Sequence, residues 1–557
     1  MKYLRLDMPW AYCLCRVAKP YLIHLWRPHH FQAFIFQRML NVNHNGLRIV
    51  DLLWHQAAIK PDHIALNIDG QTRTYAQMSA RVQNLMGSLA TRFKKGDRVG
   101  LWFHNCHSWV ETFLALNALG MVSVPINTRL TGVELNVIFN AAQLQGLVTT
   151  DLFRGRHYGD EACLALQASG LRLQVLWADD MLAPDEWISK TLNIKGDESA
   201  LQTPPGVFCI QYTSGTTSIP KGVMLTNAAY LQTANYVARC QRLTPSSRFI
   251  SAGPFFHCSG SMHALTVCLL AGCTLHSMSV WDAQRFLEDV HRYQCDVSHM
   301  VYFRDVLALG HPNSRQLLQS MQITHDLGTP DYLMRIVDEL GIAGVSNIYG
   351  MTETSGQLTM WFPDDPLHLR VSGNGRVQAG NQVRIAEPQT SIEVAHGQTG
   401  EIQMRGSTIS EGYFQNEQAQ QQSRTTDGWF RSGDLGRMGD ERQLIYVARL
   451  KEMIRVGGEN LAPAEVEQAL RDICGTPTVC VLGMPDARLD EVVVAVVSQP
   501  TQQDWKSNVH QLRQRLAGFK VPRAIYLTDQ LPMTATNRVQ RATLKERIEK
   551  GQLQQVV

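Results

Sequence analysis

Residues 212–222 read Tyr212-Thr-Ser-Gly-Thr-Thr-Ser-Ile-Pro-Lys221-Gly222, five Ser or Thr hydroxyls around one glycine, closed by Pro-Lys-Gly. The stretch follows an apolar run, Val207–Gln211, that reads as a strand, and it precedes a second short one, Val223–Leu225. A loop of this composition turns successive backbone N–H groups and hydroxyls toward phosphate oxygens. Lys221 adds a positive charge for a polyphosphate. The spacing differs from the GxxxxGK-Ser/Thr of a Walker loop, so P-loop phosphoryl transfer is not the chemistry. An ordinary polar turn has no need of five hydroxyls ahead of Pro-Lys-Gly.

Outward from this loop, Val99–Phe103 and Met121–Pro125 predict buried strands, and Ala76–Leu89 and Trp109–Ala118 predict helices. From about residue 47 the alternation is that of an α/β protein. A strand at Gln443–Val447 gives way near Arg449–Lys451 to a charged, glycine-containing loop, then to a helix opened by Pro463 at a favoured first-turn position. The expected architecture is a large multi-layer α/β N-terminal domain over 39–450 and a small mobile α+β C-terminal domain over 451–557.

The bulk properties agree. A chain of 557 residues exceeds the roughly 100–200 residues of one domain. With 44% apolar and 18% charged residues it is globular and not disordered. A net charge of +3, from 52 basic and 49 acidic residues, excludes nucleic acid as an electrostatic partner. Twelve cysteines without a CxxC pair fit a reduced cytoplasmic chain better than a disulfide scaffold or a zinc site. No apolar run reaches the roughly 18 residues of a membrane span.

Residues 1–38 mix aromatics with bases and carry only Asp7 as an acid, the composition of a membrane-surface anchor. Pro9, Pro20 and Pro28 break any long amphipathic helix there. The segment therefore reads as an extension ahead of Met39, with peripheral membrane association as the alternative. It lacks the apolar run and small-residue cleavage site of a signal peptide.

Further motifs follow in order: Pro125-Ile-Asn-Thr-Arg-Leu130, Gly253-Pro-Phe-Phe-His257, Tyr349-Gly-Met-Thr-Glu353, Gly400-Glu401 with Arg405-Gly406, Trp429–Gly436 and Arg449–Asn460, with the ordered matches continuing to Arg541. Together with Thr213–Gly222 they resemble the signatures of the adenylate-forming superfamily, in its acyl- and aryl-CoA ligase branch, over most of residues 47–541.

The resemblance implies a role for each position. Thr213, Ser214, Gly215, Thr216, Thr217 and Lys221 would hold the ATP phosphates. Thr352 would meet the α-phosphate and Glu353 would carry Mg²⁺. Asp434 and Arg449 would hold the ribose; Gly328, Thr329, Pro330 and Tyr349 would flank the nucleotide. His257 matches the aromatic gate beside the acyl group, although a lone histidine is more often structural. Lys451 falls at the hinge, and Gly457 and Gly458 in the loop lining the thioester-forming site, where pantetheine passes close to backbone.

One position departs from the pattern. Where the family has Gly-Lys near its C-terminus, this chain has Asn537-Arg538. Arginine keeps the charge, and asparagine is, after glycine, most tolerant of a left-handed backbone. Arg538 is therefore expected to serve as the adenylation cation.

For the acid, nothing between Gly253 and Gly260 is acidic, which disfavours an α-amino acid. Gly350 stands where acetate-type ligases place a pocket-closing Trp, so the acid is expected to be longer than propionate. Cys258, Ser259, Tyr302 and Phe303 are further lining candidates, with Arg304 able to meet a second charge. The expected activity uses ATP, Mg²⁺ and coenzyme A: the carboxylate attacks the α-phosphate, pyrophosphate leaves, and the acyl group passes to coenzyme A. A carrier-protein phosphopantetheine is the alternative acceptor, and a non-catalytic nucleotide-binding protein the alternative class.

Overall fold

The computed structural model of the chain describes residues 46–557 except 131, 170–172, 181–186, 193–203, 214–219, 300–301, 457–458, 462, 476–477, 487–488, 499–503 and 535–538. The extension 1–38 with Met39, and Ser214, Gly215, Thr216, Thr217, Gly457, Gly458, Asn537 and Arg538, lie outside the described residues.

Two large sheets form the body. In the first, the strands Gly412–Tyr413, Lys221–Thr226, Val207–Thr213, Val122–Pro125, Arg98–Trp102, Gly146–Thr149, Leu173–Trp177 and Ile188–Leu192 lie side by side in that order. The second runs Gly344–Asn347, Ile323–Asp326, Val297–Ser298, Arg248–Ile250, Thr274–Ser277, Ile64–Ile68 and Gln71–Thr74. Apart from Lys221–Thr226, antiparallel to both neighbours, the central strands pair in parallel, and such strands are buried on both faces. Arg98–Trp102 is buried at every position, which is why Val99–Phe103 reads as a buried strand without polar alternation.

Helices fill the space between the sheets. Tyr75–Ala90 is started by a reciprocal cap: Thr74 Oγ1 accepts from the Gln77 N–H at 3.2 Å, and Gln77 Oε1 from the Thr74 N–H at 2.9 Å. His107–Leu119 is buried from His107 to Ala118 and stops at Gly120, whose φ of 69° suits a residue without Cβ. One apolar cluster joins this helix (Trp109, Phe113) to both sheets (Leu101 and Val223; Leu66 and Leu275).

A four-stranded antiparallel sheet, Asn381–Ala386, Gly400–Gly406, Phe430–Met438 and Leu444–Arg449, completes the first part of the chain. After the 3₁₀ turn Leu450–Glu452, the described strands from Ile454 onward pair only with one another. They carry the helices Pro463–Cys474, Trp505–Arg515 and Arg541–Glu549 and enclose their own apolar cores. No described helix is long and apolar enough to cross a membrane.

Candidate active site

The hairpin Val207–Thr213/Lys221–Thr226 sets Thr213 opposite Lys221, with the loop 214–219 between them. On the other side of Lys221–Thr226, Val223 pairs with Tyr413. This places the Lys221 ammonium 5.0 Å from the centre of the Tyr413 ring. The Tyr413 hydroxyl donates to Glu353 Oε1 at 2.8 Å. Burial, then the Glu353 charge, pushes the Tyr413 hydroxyl well up, so it remains a proton donor. Glu353 is held from behind as well, its carbonyl accepting from the Ser410 N–H at 2.8 Å. Its Oε2 has no hydrogen-bond partner among the described residues, and the buried Thr352 hydroxyl stands next to it in sequence.

Tyr413 thus links the Lys221 ammonium, over its ring, to the Glu353 carboxylate, at its hydroxyl, and Thr352 precedes Glu353 in the chain. A carboxylate oxygen with a hydroxyl next to it in the chain supplies hard oxygen donors of the kind Mg²⁺ takes, so the residues present fit that group.

A second corner gathers around Asp434. Its Oδ2 accepts from the Tyr349 hydroxyl at 2.7 Å, and its Oδ1 lies 2.9 Å from Arg449 Nε. Burial works against the Arg449 charge, but Asp434, Tyr446 and Tyr349 outweigh it and hold the guanidinium above its ordinary range. Tyr349 stacks on Tyr446 with ring centres 6.1 Å apart. Each carboxylate oxygen has a second lone pair, so Asp434 retains acceptor capacity for the hydroxyls of a ribose.

The acid-side candidates divide. His257 caps the short helix Cys258–Gly260: its Nδ1 accepts from the Ser259 N–H at 3.2 Å and lies 3.1 Å from Ser259 Oγ. This fixes the ring's orientation. Cys258 is buried, its Sγ 3.0 Å from Gln211 Oε1, and burial pushes its thiol up to about 12. It therefore packs as a neutral group and is no nucleophile. Phe303 sits in a different apolar cluster, edge-on to Phe286 at 5.8 Å, and Tyr302 packs edge-on to Trp281 at 5.7 Å. Phe303 therefore packs in a different cluster from Cys258. Arg304 is spread over the Tyr332 ring at 4.2 Å.

Gly350 has a backbone reason: an added Cβ would lie 2.3 Å from the Gly356 carbonyl oxygen. Gly328, Thr329 and Pro330 form a helix start. Thr329 Oγ1 accepts from the Tyr332 N–H at 3.4 Å, Pro330 opens Pro330–Leu340, and the Gly328 carbonyl accepts from Asn347 Nδ2 at 2.8 Å. Lys451 lies in the 3₁₀ turn Leu450–Glu452.

Tyr413 and Gln211 were missed by sequence reasoning. Both owe their place to strand pairing between segments far apart in the chain, Gly412–Tyr413 on Lys221–Thr226 and Val207–Thr213 on Val122–Pro125, and no local pattern marks them.

The sequence profile described as AMP-binding enzyme matches residues 53–414, and that of the AMP-binding enzyme C-terminal domain matches 465–538. A methyl-dioxo-octahydroindenyl-propanoyl:CoA ligase of Mycobacterium tuberculosis is 32% identical over 499 residues, which cover 87% of this chain and 96% of that protein. A feruloyl-CoA synthase of Amycolatopsis sp is 32% identical over 502 residues, covering 88% and 97%. The solved structure of o-succinylbenzoate CoA synthetase from Bacillus subtilis with its acyl-adenylate is similar with a TM-score of 0.76 and 25% identity. It covers 89% of this chain and 97% of that one.

Proposed function

The chain belongs to the AMP-binding enzyme family, and from that membership we infer that it is an AMP-forming acyl-CoA ligase. It activates a carboxylic acid with ATP, releases pyrophosphate, and transfers the acyl group from AMP to the thiol of coenzyme A. The observation that carries the reading is the alignment of Lys221, Tyr413 and Glu353 beside Thr352 at the end of the phosphate-loop hairpin.

Glu353 and Thr352 would hold Mg²⁺ and the α-phosphate; bound there, the metal offsets charge that builds on the phosphate oxygens. Lys221 supplies positive charge to the same polyphosphate. Tyr413 orients the Glu353 carboxylate without taking its charge. Asp434 and Arg449 hold the ribose, and His257, with its ring fixed by Ser259, borders the acyl group. Arg538 brings the second cation for adenylation, and residues 451–557 turn about Lys451 so that Gly457 and Gly458 line the thioester step. AMP leaves far more readily than hydroxide, which is why ATP is consumed.

The names of the two relatives specify acyl groups larger than propionyl, which supports an acid of that size here. The acceptor is free coenzyme A; a carrier-protein phosphopantetheine is the competing thiol. We place the enzyme in the cytoplasm, since among the described residues ten cysteines form no disulfide and nine of them are buried.

The test is pyrophosphate release with ATP and a panel of carboxylic acids, followed by addition of coenzyme A or a loaded carrier protein. Acid-dependent pyrophosphate followed by a coenzyme A thioester is expected. ATP binding without pyrophosphate from any acid would leave a nucleotide-binding protein in its place.

A further inference from the structure

Five unpartnered polar atoms lie together in the apolar interior behind Thr352-Glu353: His263 Nδ1 and Nε2, His299 Nε2, Gln241 Oε1 and Gln357 Oε1. None has a hydrogen-bond partner among the described residues, and every one of these side chains is at most 2% exposed. Leaving a buried donor or acceptor unmade costs about 1–3 kcal/mol, so a group of them in one place calls for an occupant.

Four separate segments supply Gln241 and the three imidazoles. Gln241 ends the helix Asn227–Cys240, and His263 sits in a π-helical turn, Ser261–Thr266, a rare geometry that recurs at functional sites. His299 follows the strand Val297–Ser298, and His325 lies in Ile323–Asp326. The rings form a row, His263 to His299 at 4.1 Å and His299 to His325 at 5.4 Å between centres. The near end of the row meets the adenylation corner. A Cβ on Gly356, four residues past Thr352, would lie 3.1 Å from Cys258 Cβ and 3.3 Å from His263 Cε1.

The proton positions follow from one amide. Gln241 Nε2 lies 3.1 Å from His299 Nδ1 and 3.2 Å from His325 Nδ1. As donor to both, it makes both Nδ1 atoms acceptors and places the ring protons on Nε2. His299 Nε2–H is thus a fixed donor with no acceptor among the described residues, and His263 offers a second N–H beside it. Burial disfavours the charged form of His263 most; the Gly356 carbonyl and the Gln357 amide act the other way, yet neither meets hydrogen-bond geometry. Burial holds His263 and His325 down to about 3 and His299 well below its usual range, so the row is neutral at physiological pH. A neutral pair of donors suits a neutral oxygen. A second carboxylate would be buried against neutral rings, and the one cation among the described residues felt by the row, Arg370, acts on His325 and not on His263 or His299.

We propose that His263 and His299 form the polar end of the acid pocket and select an acid bearing a neutral oxygen, a ketone or hydroxyl, on its chain. The substrate class is then an oxo- or hydroxy-carboxylic acid and not a plain alkanoic acid. The inference rests on the ligase reading above.

The test measures kcat/KM for pyrophosphate release with medium-length alkanoic acids and with their oxo and hydroxy counterparts. A site built to hydrogen-bond an oxygen rejects the analogue lacking it, and a preference of about a hundredfold or more for oxygenated acids is expected. His299→Phe should remove most of that preference by slowing the oxygenated acids while the alkanoates hold or improve. His263→Gln, which keeps a donor, should retain part of it and serves if the first variant does not fold. Equal activation of alkanoic and oxygenated acids by the unmodified protein overturns this inference alone. Failure of every acid to release pyrophosphate overturns the ligase reading and the inference with it.

Discussion

Asp434 and Arg449 are register partners on adjacent antiparallel strands, and their side chains meet at 2.9 Å between Oδ1 and Nε. Backbone pairing and ion pair therefore fix the same corner, and Tyr349 closes it from the third side. Asp434→Asn keeps the shape and removes the charge. Loss of a charged hydrogen bond, worth about 1.5–3 kcal/mol, should raise the KM for ATP by about tenfold to a hundredfold. An unchanged KM for ATP in the folded variant would remove Asp434 from the ribose site.

Glu353→Gln should abolish pyrophosphate release with the fold intact, since an amide does not balance the charge of Mg²⁺. Tyr413→Phe is gentler: it deletes the 2.8 Å hydrogen bond to Glu353 and keeps the ring beneath Lys221. A loss of about tenfold in kcat for adenylation is expected. Wild-type rates in folded Glu353→Gln would sink the metal assignment.

On the far side of the turn from Arg449, Glu452 Oε2 is 2.8 Å from Arg541 Nη1, and Arg541 Nη2 is 2.9 Å from Glu467 Oε1. The chain is clamped to the four-stranded sheet at Arg449 and to the C-terminal region at Glu452. Leu450 and Lys451 are left to absorb a rotation. Lys451→Pro fixes φ and restricts Leu450, so one half-reaction should survive and the other be lost. Pyrophosphate release and thioester formation from supplied acyl-AMP, measured separately, distinguish this from a general defect; equal loss of both would count against the pivot.

Arg538→Ala should slow pyrophosphate release by about a hundred- to thousandfold, the scale of one charge-assisted contact made in the transition state, about 2.7–4 kcal/mol. Thioester formation from acyl-AMP should stay near normal, and Arg538→Lys should retain adenylation. Full adenylation by the Ala variant would require another cation.

Acid should destabilise the protein through the buried imidazoles. His263 and His325 are held down to about 3 against 6.5 in the unfolded chain. Between those values the unfolded chain binds protons that the folded one does not. Their contribution is therefore present above pH 6.5 and is lost as pH falls toward about 3. Asp326, raised to about 6 by burial, acts in the opposite sense, favouring the folded state at low pH and losing that effect as pH rises. Comparing Tm against pH for the protein and its His263→Gln/His325→Gln variant cancels the Asp326 effect. The variant should show the shallower acid slope; parallel curves would mean the imidazoles are protonated in the folded state.

Much of this protein was written locally. The strands at 98–102 and 122–125 and the helix at 107–119 came from runs whose burial leaves a continuous apolar signal. Pro463 did open the helix that follows the loop after Arg449. The motifs around Lys221, Glu353 and Asp434 were legible because each is a contiguous string whose backbone must take one shape. What tertiary structure alone settled are pairings between distant segments. Tyr413 reaches Glu353 because Gly412–Tyr413 adds to the edge of Lys221–Thr226. Phe303 turns into a core of its own, since an apolar residue next to a predicted pocket has no local mark telling wall from interior. Gly350 and Gly356 are held by backbone approach between residues six apart. The row of imidazoles has no sequence signature, because His263, His299 and His325 lie on three elements that only the packing of sheet on helix brings together. Sequence spacing records the period of a strand or helix; proximity across the core depends on register and layer packing, which no single segment contains.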